Sequence, residues 1–437
     1  MGSATKTLVG FGFGPIQSGL FLYEAYVSGN FRRFVVSEID ESLVAAVGGN
    51  NGRYSINIAR RDRIDQFTLE GIDLYNPRDP AGREAIVRAV TESNEMVTAL
   101  PNVNVYDAGG RSGVVSILSE GLEEAAELTP TILYAAENNN HAAEILLEKL
   151  TAAGRAPDPT NFQVLNTVIG KMSGVITEPE IIERLALVTI TPDIRRAILI
   201  EEFNRILISR VTLSGYRRGI EAFREKDQLL PFEEAKLYGH NAVHALIGYL
   251  ADLRGLNTIA EAGRDRRIMD AARKAFVDES GPAMIRRNAG AGDAVFTPAD
   301  YRHYAEDLLE RMTCPNLNDL VARVVRDHVR KLGYDDRLYG TMRLAIEAGV
   351  EPVNLALGAA AGVLSMIKRR DDLAGPVAHL PASAGALSAE ILRDLLLGLW
   401  GRQVDSHADK LVSLTSEALQ KLRRQPWQGQ WQKPNQS

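Results

Sequence analysis

One short segment near the middle of the chain carries residue types that can remove a proton and hold a developing negative charge. It contains Lys236, Asn241 and His244. A lysine can accept the hydroxyl proton if burial or a neighbouring cation lowers its pKa toward neutrality, and an asparagine amide can hold the developing oxyanion. A histidine can orient the hydroxyl or keep the lysine poised. The segment therefore predicts proton removal from an alcohol while hydride leaves the carbon.

The same segment is expected to be helical. Pro231 suits a first helical turn, and Glu233 favours the positive end of the helix dipole. Because each helical residue advances by about 100°, four polar groups fall within an arc of roughly 140°: Glu233, Lys236, Asn241 and His244. The spacing therefore predicts a polar face on a helix over residues 232–253.

Two other interpretations of this helix stay open. The first is a solvated polar face with a hydrogen-bonded histidine, which is common on helices. The second is a zinc site, because His240 and His244 are four residues apart. The metalloprotease pattern requires a glutamate after the first histidine, and Asn241 stands there instead. No cysteine or acidic cluster supplies a third ligand, so the sequence favours a site without metal.

A glycine-rich turn near the amino terminus is typical of a strand–turn–helix unit that binds a dinucleotide. Gly12 and Gly14 match the first two glycines of the G-x-G-x-x-G pattern, and Gln17 takes the place of the third. Glycines let a pyrophosphate approach the backbone at a helix amino terminus. The alternative is a turn that binds nothing. We predict cofactor contacts from Gly12, Gly14, Pro15, Ile16 and Gln17.

The strand predicted after this turn ends in an acid that would select the cofactor. Residues 34–37 are β-branched or aromatic, and Glu38 follows them. A carboxylate at about this distance from the glycines accepts hydrogen bonds from the ribose hydroxyls and repels a 2′-phosphate. The sequence therefore predicts NAD as the cofactor rather than NADP.

The order of strand-like and helix-like segments predicts two domains. The first half alternates between the two, which is typical of a parallel sheet covered by helices. After Pro231 the segments are almost all helical. We predict an α/β, Rossmann-type, NAD-binding domain at residues 1–227 and a mainly α-helical substrate domain at residues 228–437. The junction is placed near the charged stretch 224–228, and residues 423–437 are predicted to form a tail.

Individual elements follow from the same patterns. Apolar or β-branched runs predict strands at residues 7–11, 34–37, 103–106 and 131–136. Helical spacing predicts early helices at residues 16–27 and 42–47. In the second half it predicts helices at residues 232–253, 298–312, 318–331, 338–348 and 388–400, with a buried helix at 353–367.

Composition excludes several classes of protein. With 437 residues the chain is longer than one hydrophobic core usually serves, and its net charge of −6 argues against nucleic-acid binding. Cys314 is the one cysteine, which fits a reducing compartment. The amino terminus lacks the order of a signal peptide. We expect a cytoplasmic protein that acts on a small molecule and has no nucleic-acid or membrane partner.

The spacing Lys-x4-Asn-x2-His resembles the signature of the polyol-specific long-chain dehydrogenases, the mannitol dehydrogenase family. The likeness extends over most of the chain and is strongest to members that act on polyol phosphates. It is carried by residues 12–19, 51–56, 136–138, 236–238 with Asn241 and His244, 326–332 and 336–338. This resemblance implies a Rossmann domain, a helical substrate domain, a monomer, no catalytic metal and NAD-dependent interconversion of a polyol phosphate and a ketose phosphate.

The resemblance also implies roles for individual residues. Lys236 would be the general base, Asn138 and Asn241 would polarise the substrate oxygen, and His244 would orient it. Glu233 matches a position that relays protons. Glu137, beside Asn138, is expected to contact the cofactor.

Four cationic side chains in one short region bear on whether the substrate carries a phosphate. A guanidinium fork suits a phosphate group, and the candidates are Arg326, Arg330, Lys331 and Arg337. Ordinary ion pairing along a helix explains them equally well. Two other functions stay open beside a polyol-phosphate dehydrogenase. One is the same chemistry on an unphosphorylated polyol or hexuronate, and the other is an NAD-binding sensor without turnover. The intact Lys236 argues against the sensor.

Overall fold

The computed structural model describes residues 6–124, 129–401 and 404–424. The chain forms two compact units, Met1–Leu230 and Pro231–Ser437. The predicted order, an α/β unit followed by a mainly helical unit, is confirmed. Most of the predicted tail lies outside the described residues, because the last described helix ends at Arg424.

The strands of the first unit form two sheets. In chain order the strands are β1 (Lys6–Phe11), β2 (Phe31–Ser37), β3 (Tyr54–Ala59), β4 (Ile64–Leu69), β5 (Ile72–Tyr75), β6 (Glu95–Thr98), β7 (Thr131–Ala135), β8 (Phe162–Val168), β9 (Ser173–Ile176), β10 (Ala197–Glu201), β11 (Leu207–Ser209) and β12 (Arg224–Lys226). The larger sheet has the order β12-β11-β8-β7-β6-β1-β2-β5 and the smaller one β4-β3-β10-β9.

The strand order of the larger sheet changes direction at β1, which lies between β2 and β6 and pairs in parallel with both. Phe11 is level with Ser37 of β2 and with Thr98 of β6, and Thr98 is level with Ala135 of β7. The residues that follow these four strands therefore meet at one edge of the sheet. In open α/β sheets a ligand binds at the strand carboxyl ends beside such a reversal point.

Helices cover the larger sheet of the first unit. They are α1 (Leu22–Ser28), α2 (Glu41–Gly49), α3 (Pro80–Thr91), α4 (Val114–Glu124), α5 (Ala142–Ala152) and α6 (Pro179–Arg184), and a π-helical turn over Gln17–Phe21 leads into α1. Leu8 and Val36 are buried in one apolar core, whereas Val9 and Val35 are buried in another. This alternation is what the two-residue period of a strand requires when both faces are covered.

The second unit is helical. Its helices are α7 (Leu230–Ala235), α8 (Ala242–Arg254), α9 (Ile259–Ala262), α10 (Arg266–Lys274), α11 (Gly281–Arg287), α12 (Pro298–Met312), α13 (Val321–Val324), α14 (His328–Lys331), α15 (Tyr339–Glu347), α16 (Val353–Lys368), α17 (Ala389–Trp400) and α18 (Ala408–Arg424). Two π-helical turns, Lys236–Asn241 and Ala275–Ser280, join α7 to α8 and α10 to α11.

Helix α16 packs tightly against α8 and is buried along most of its length, as the sequence predicted. A Cβ atom on Gly358 would lie 2.9 Å from Cβ of Leu246, and one on Gly362 would lie 3.0 Å from the ring of Tyr249. The absence of these side chains lets the two backbones approach closely. Among the residues that the structure describes, no helix has the length and apolar character to cross a bilayer.

Two predicted elements are wrong. The strand predicted at residues 103–106 is absent: Val103–Val105 form a 3-10 turn, with Asn102 accepting a hydrogen bond from the Asn104 amide. The strand lies earlier, at Glu95–Thr98. The charge of Glu95 concealed this strand, although the side chain is buried and accepts hydrogen bonds from Tyr134 and Gly219.

Residues 318–331 are not one helix. They form two short helices, α13 and α14, because Asp327 between them adopts a left-handed conformation with φ 59°. Aspartate tolerates this region better than most residues. The charged stretch 224–228, predicted as the junction, contains strand β12, and the units divide between Leu230 and Pro231.

Candidate active site and cofactor pocket

Lys236 and Asn241 are the first and last residues of the π-helical turn between α7 and α8. Backbone hydrogen bonds in a π-helix join residues five apart, so this turn brings Lys236 and Asn241 to nearly the same face. A regular α-helix would set them about 140° apart. Single π-helical turns are frequent at functional sites.

The fold supports the π-helical turn on both sides. The Tyr238 carbonyl oxygen accepts hydrogen bonds from the hydroxyls of Ser280, at 2.9 Å, and Thr341, at 3.1 Å. A Cβ on Gly239 would lie 2.8 Å from the Tyr301 hydroxyl. The glycine and the two hydroxyls therefore allow a departure from α-helical geometry that spacing alone does not reveal.

Lys236 has the electrostatic environment of a base. Its pKa is lowered to about 8: burial is the largest cause, Glu233 opposes the change and Arg337 adds to it. Glu233 is buried in α7, one turn before the lysine. A lysine with this pKa has a substantial neutral fraction near neutral pH and can accept a proton.

His244 lies in α8 one turn after the π-helical segment. Its Nε2 is 2.8 Å from Oδ2 of Asp319, whose side chain is buried. Arg323 donates through Nε and Nη2 to the other carboxylate oxygen, at 3.0 and 2.7 Å. Sequence reasoning missed Asp319, because no local motif connects it with a histidine 75 residues away.

The predicted phosphate-binding cations have different surroundings. Arg337 is buried, and its Nε donates to Asp336 at 2.7 Å. Lys331 is also buried and donates to the Val324 carbonyl at 2.6 Å; burial and Arg337 lower its pKa to about 8. Arg330 is exposed and lies 3.4 Å from Asp327. Both arginines thus pair with an aspartate, whereas Lys331 is bonded to a backbone carbonyl.

A cavity of about 560 Å³ opens in the first unit at the carboxyl ends of the central strands. Its lining includes five predicted cofactor residues: Gly12, Gly14, Pro15, Ile16 and Glu38. Gly12 has φ 89°, and a Cβ there would lie 2.8 Å from the Ala99 carbonyl oxygen, so this position requires glycine. Gly14 leaves the approach to the helix amino terminus open. These features fit a dinucleotide.

Glu38 is fixed at the rim of this cavity. Its carboxylate accepts the Phe13 amide at 2.7 Å and the Asp40 amide at 2.8 Å. Because Phe13 belongs to the glycine-rich turn, the acid and the turn are held in one arrangement.

The segment that the sequence misassigned forms another wall of the cavity. Leu100 and Val105, which follow β6, line it together with Pro77 and Arg78. The signal that could have identified this wall is the strand Glu95–Thr98, since the residues after it must reach the same edge as the glycine turn.

Gln17 and Glu137 lie outside the lining of this cavity. Gln17 is fully buried, and a Cβ on Gly10 would lie 2.3 Å from its Nε2, so Gly10 makes room for the side chain. Glu137 is buried and accepts hydrogen bonds from Thr98, Tyr106 and the Leu100 amide. It therefore fixes the segment after β6.

Asn138 follows β7 in the first unit and is exposed. The other predicted catalytic residues belong to the second unit. Sequence reasoning assigned all of them to one site.

The surroundings of His240 and His244 bear on whether these two residues belong to a zinc site. Within residues 6–124, 129–401 and 404–424, no three His, Cys, Asp or Glu side chains are grouped as metal ligands. Burial, followed by the charge of His244, holds the pKa of His240 well below its usual value. The ring centroids of the two histidines are 6.2 Å apart.

Comparison with known families supports the predicted resemblance. Residues 228–378 match the model of the mannitol dehydrogenase C-terminal domain. Mannitol-1-phosphate 5-dehydrogenase of Brevibacillus brevis is 35% identical over 166 residues, and that of Halalkalibacterium halodurans is 32% identical over 159 residues. These segments are 38% and 36% of this chain, and the chain spans 41% of the length of each relative. The predicted resemblance to this family is confirmed.

Solved structures extend the similarity of the fold to nearly the whole chain. Mannitol 2-dehydrogenase of Pseudomonas fluorescens, in a ternary complex with NAD and D-mannitol, has a TM-score of 0.70 at 16% identity and covers 96% of this chain and 92% of its own. A D-sorbitol dehydrogenase in substrate-free form has a TM-score of 0.74 at 14% identity, with 97% and 94% covered. At these identities the two structures show a common fold.

Proposed function

We propose that this chain, whose C-terminal unit belongs to the mannitol dehydrogenase family, is an NAD-dependent oxidoreductase that interconverts a polyol phosphate and a ketose phosphate. The observation that carries the proposal is the environment of Lys236, whose pKa burial lowers to about 8. The residue lies on a π-helical turn with Asn241, and Arg337 and Glu233 act on its charge.

In the proposed mechanism each of these side chains has a separate role. The glycine turn and Glu38 would hold NAD, which would supply the hydride acceptor. Neutral Lys236 accepts the hydroxyl proton, and the Asn241 amide donates a hydrogen bond to the substrate oxygen as negative charge develops. Asn138 is proposed as a second donor to that oxygen. Glu233, which is buried one turn before the lysine, is proposed to relay the proton onward.

The proposal needs no metal, because the amine supplies the base and the amides stabilise the oxyanion. His240 and His244 are not proposed as metal ligands. The Nε2 atom of His244 is already hydrogen-bonded to Asp319, which leaves Nδ1 for the substrate.

A phosphate on the substrate is favoured by the charges near Lys236. Arg337 lowers the pKa of both Lys236 and Lys331, so each lysine lies within the field of this arginine. A bound dianion would relieve this repulsion, and a guanidinium group suits phosphate geometry. The two curated relatives described above bear the name mannitol-1-phosphate 5-dehydrogenase.

The cofactor is proposed to be NAD, and catalytic efficiency should reveal the preference. Glu38 lies at the rim of the cavity, where a 2′-phosphate would meet its negative charge. We expect kcat/KM with NAD to exceed that with NADP by at least about 100-fold. Glu38→Gln should reduce the ratio, whereas Glu41→Gln, an exposed neighbour at the start of α2, should not. Equal or better efficiency with NADP would contradict the assignment.

The substrate class is tested by an assay of NADH formation and consumption with a panel of polyols and ketoses, each with and without a terminal phosphate. We expect a hexitol phosphate and its ketose phosphate to give the highest kcat/KM. A higher value with the free polyol or a hexuronate would replace the phosphate assignment and retain the chemistry. Tight NADH binding without turnover on the whole panel would indicate a sensor.

A further inference from the structure

We propose that Asp319 is a positioning residue that fixes the tautomer of His244, so that Nδ1 of the imidazole accepts a hydrogen bond from a substrate hydroxyl. This inference rests on the proposed function for its catalytic consequence. Its structural part, the protonation pattern of one ring, can be tested without substrate.

The contact between the two residues is short and sheltered. Nε2 of His244 is 2.8 Å from Oδ2 of Asp319, and the side chains are 17% and 5% exposed. Burial alone would raise the pKa of Asp319, but His244 and Arg323 outweigh burial and lower the pKa to about 2. The carboxylate is therefore ionised at any pH at which an enzyme of this kind would work.

An ionised carboxylate can only accept hydrogen bonds. The hydrogen in this contact must therefore belong to Nε2, and a neutral imidazole then carries an unprotonated Nδ1. Among the described residues Nδ1 of His244 has no hydrogen-bond partner. It presents an acceptor, which suits a hydroxyl of a polyol.

The backbone holds Asp319 in place independently of the histidine. Its carbonyl oxygen accepts the Ile259 amide at 2.9 Å, and the next residue, Leu320, pairs with Thr258 in an isolated β-bridge. Asn318 before it adopts the left-handed conformation with φ 48°. The carboxylate is thus presented to α8 by a fixed segment.

Arg323 determines which side-chain atom of residue 319 faces His244. Its Nε and Nη2 both donate to Oδ1 of Asp319, and a guanidinium group can only donate. In Asp319→Asn the amide oxygen must face Arg323, which turns the amide NH2 group toward His244. Nε2 would then become the acceptor, and the imidazole proton would move to Nδ1. One nearly isosteric substitution should therefore reverse the tautomer.

The test uses the full chain labelled with ¹⁵N-histidine and two-bond ¹H–¹⁵N correlation spectra, in which the two neutral tautomers differ. His244→Gln identifies the signal of His244 among the seven histidines. We expect the Nε2–H form in the wild type and the Nδ1–H form in Asp319→Asn. With the best polyol of the panel, Asp319→Asn should lower kcat about 10- to 100-fold while the Kd for NADH changes less than about 2-fold.

Asp265→Asn is the matched control, because Asp265 also pairs with an arginine, Arg254, at 2.9 Å but has no hydrogen bond to a histidine in the part of the chain that the structure describes. It should leave the His244 signal and kcat unchanged. A wild-type Nδ1–H form would overturn the proposal even if Asp319→Asn fails to fold, as would an unchanged tautomer in a folded Asp319→Asn. The expected tautomers in a protein that turns over no polyol would support the pairing and reject the proposed function.

Discussion

Lys236→Ala should lower the turnover of polyol oxidation by about 10³-fold, within the range expected when a general base is removed. The variant should bind NADH almost as well as the wild type, because the lysine acts in the transition state and not on the cofactor. The structure supports the size of this effect, since burial lowers the pKa of Lys236 to about 8 and makes the neutral amine available. Steady-state kcat and the Kd for NADH, measured on the same preparation, check the prediction.

Lys274→Ala is the control for this experiment, because Lys274 is an exposed lysine at the end of α10 in the same unit. It should retain wild-type turnover. Small primary amines should restore part of the rate of Lys236→Ala and have no effect on the control. A Lys236→Ala variant that keeps more than about a tenth of wild-type turnover would show that the lysine is not the base.

Arg337→Ala should raise the KM for the phosphate ester about 10- to 100-fold, which is the loss expected for charge-assisted hydrogen bonds to an anion. The KM for the free polyol should change less than about 3-fold. Arg337 is buried and donates to Asp336 through Nε, and its Nη groups have no hydrogen-bond partner among the described residues. We expect these groups to bind the substrate phosphate.

Two further variants make the Arg337 result specific. Arg330→Ala should have a smaller effect, because Arg330 is exposed and lies near Asp327 and Asp336. Arg254→Ala removes another arginine that pairs with an aspartate and should leave the KM for both substrates unchanged. If Arg337→Ala raised both KM values equally, the arginine would contribute to the fold or to general binding and not to phosphate recognition.

Residue types and spacing were sufficient to predict the main features of the molecule. The glycine turn and Glu38 lie at the edge where the parallel strands end, because strand pairing leaves no other place for them. The segment Lys236 to His244 lies on a helical stretch, as its pattern indicated.

The geometry within that helical stretch could not be predicted. A rule of about 100° per residue assumes an α-helix, whereas the turn over Lys236–Asn241 is π-helical and depends on the hydroxyls of Ser280 and Thr341. Both hydroxyls come from distant parts of the chain. The same is true of Asp319, which reaches His244 only through the packing of its loop.

The missed strand Glu95–Thr98 has a comparable cause. A charged residue at the start of a strand argues against burial, but Tyr134 and Gly219 donate to Glu95 in the folded chain. Burial of a polar group costs little when it is hydrogen-bonded. Partners of this kind are invisible to a pattern that considers only neighbouring residues.

The pH dependence of turnover tests the role of Lys236 most directly. Only the neutral amine accepts a proton, so kcat for polyol oxidation should rise through one ionisation near pH 8, the pKa to which burial lowers Lys236, and then level off. The reverse reaction needs the protonated amine and should fall through the same ionisation. Lys236→Ala should lose this ionisation in both directions. An unchanged ionisation in Lys236→Ala, or a wild-type rate independent of pH across this range, would contradict the assignment of Lys236 as the base.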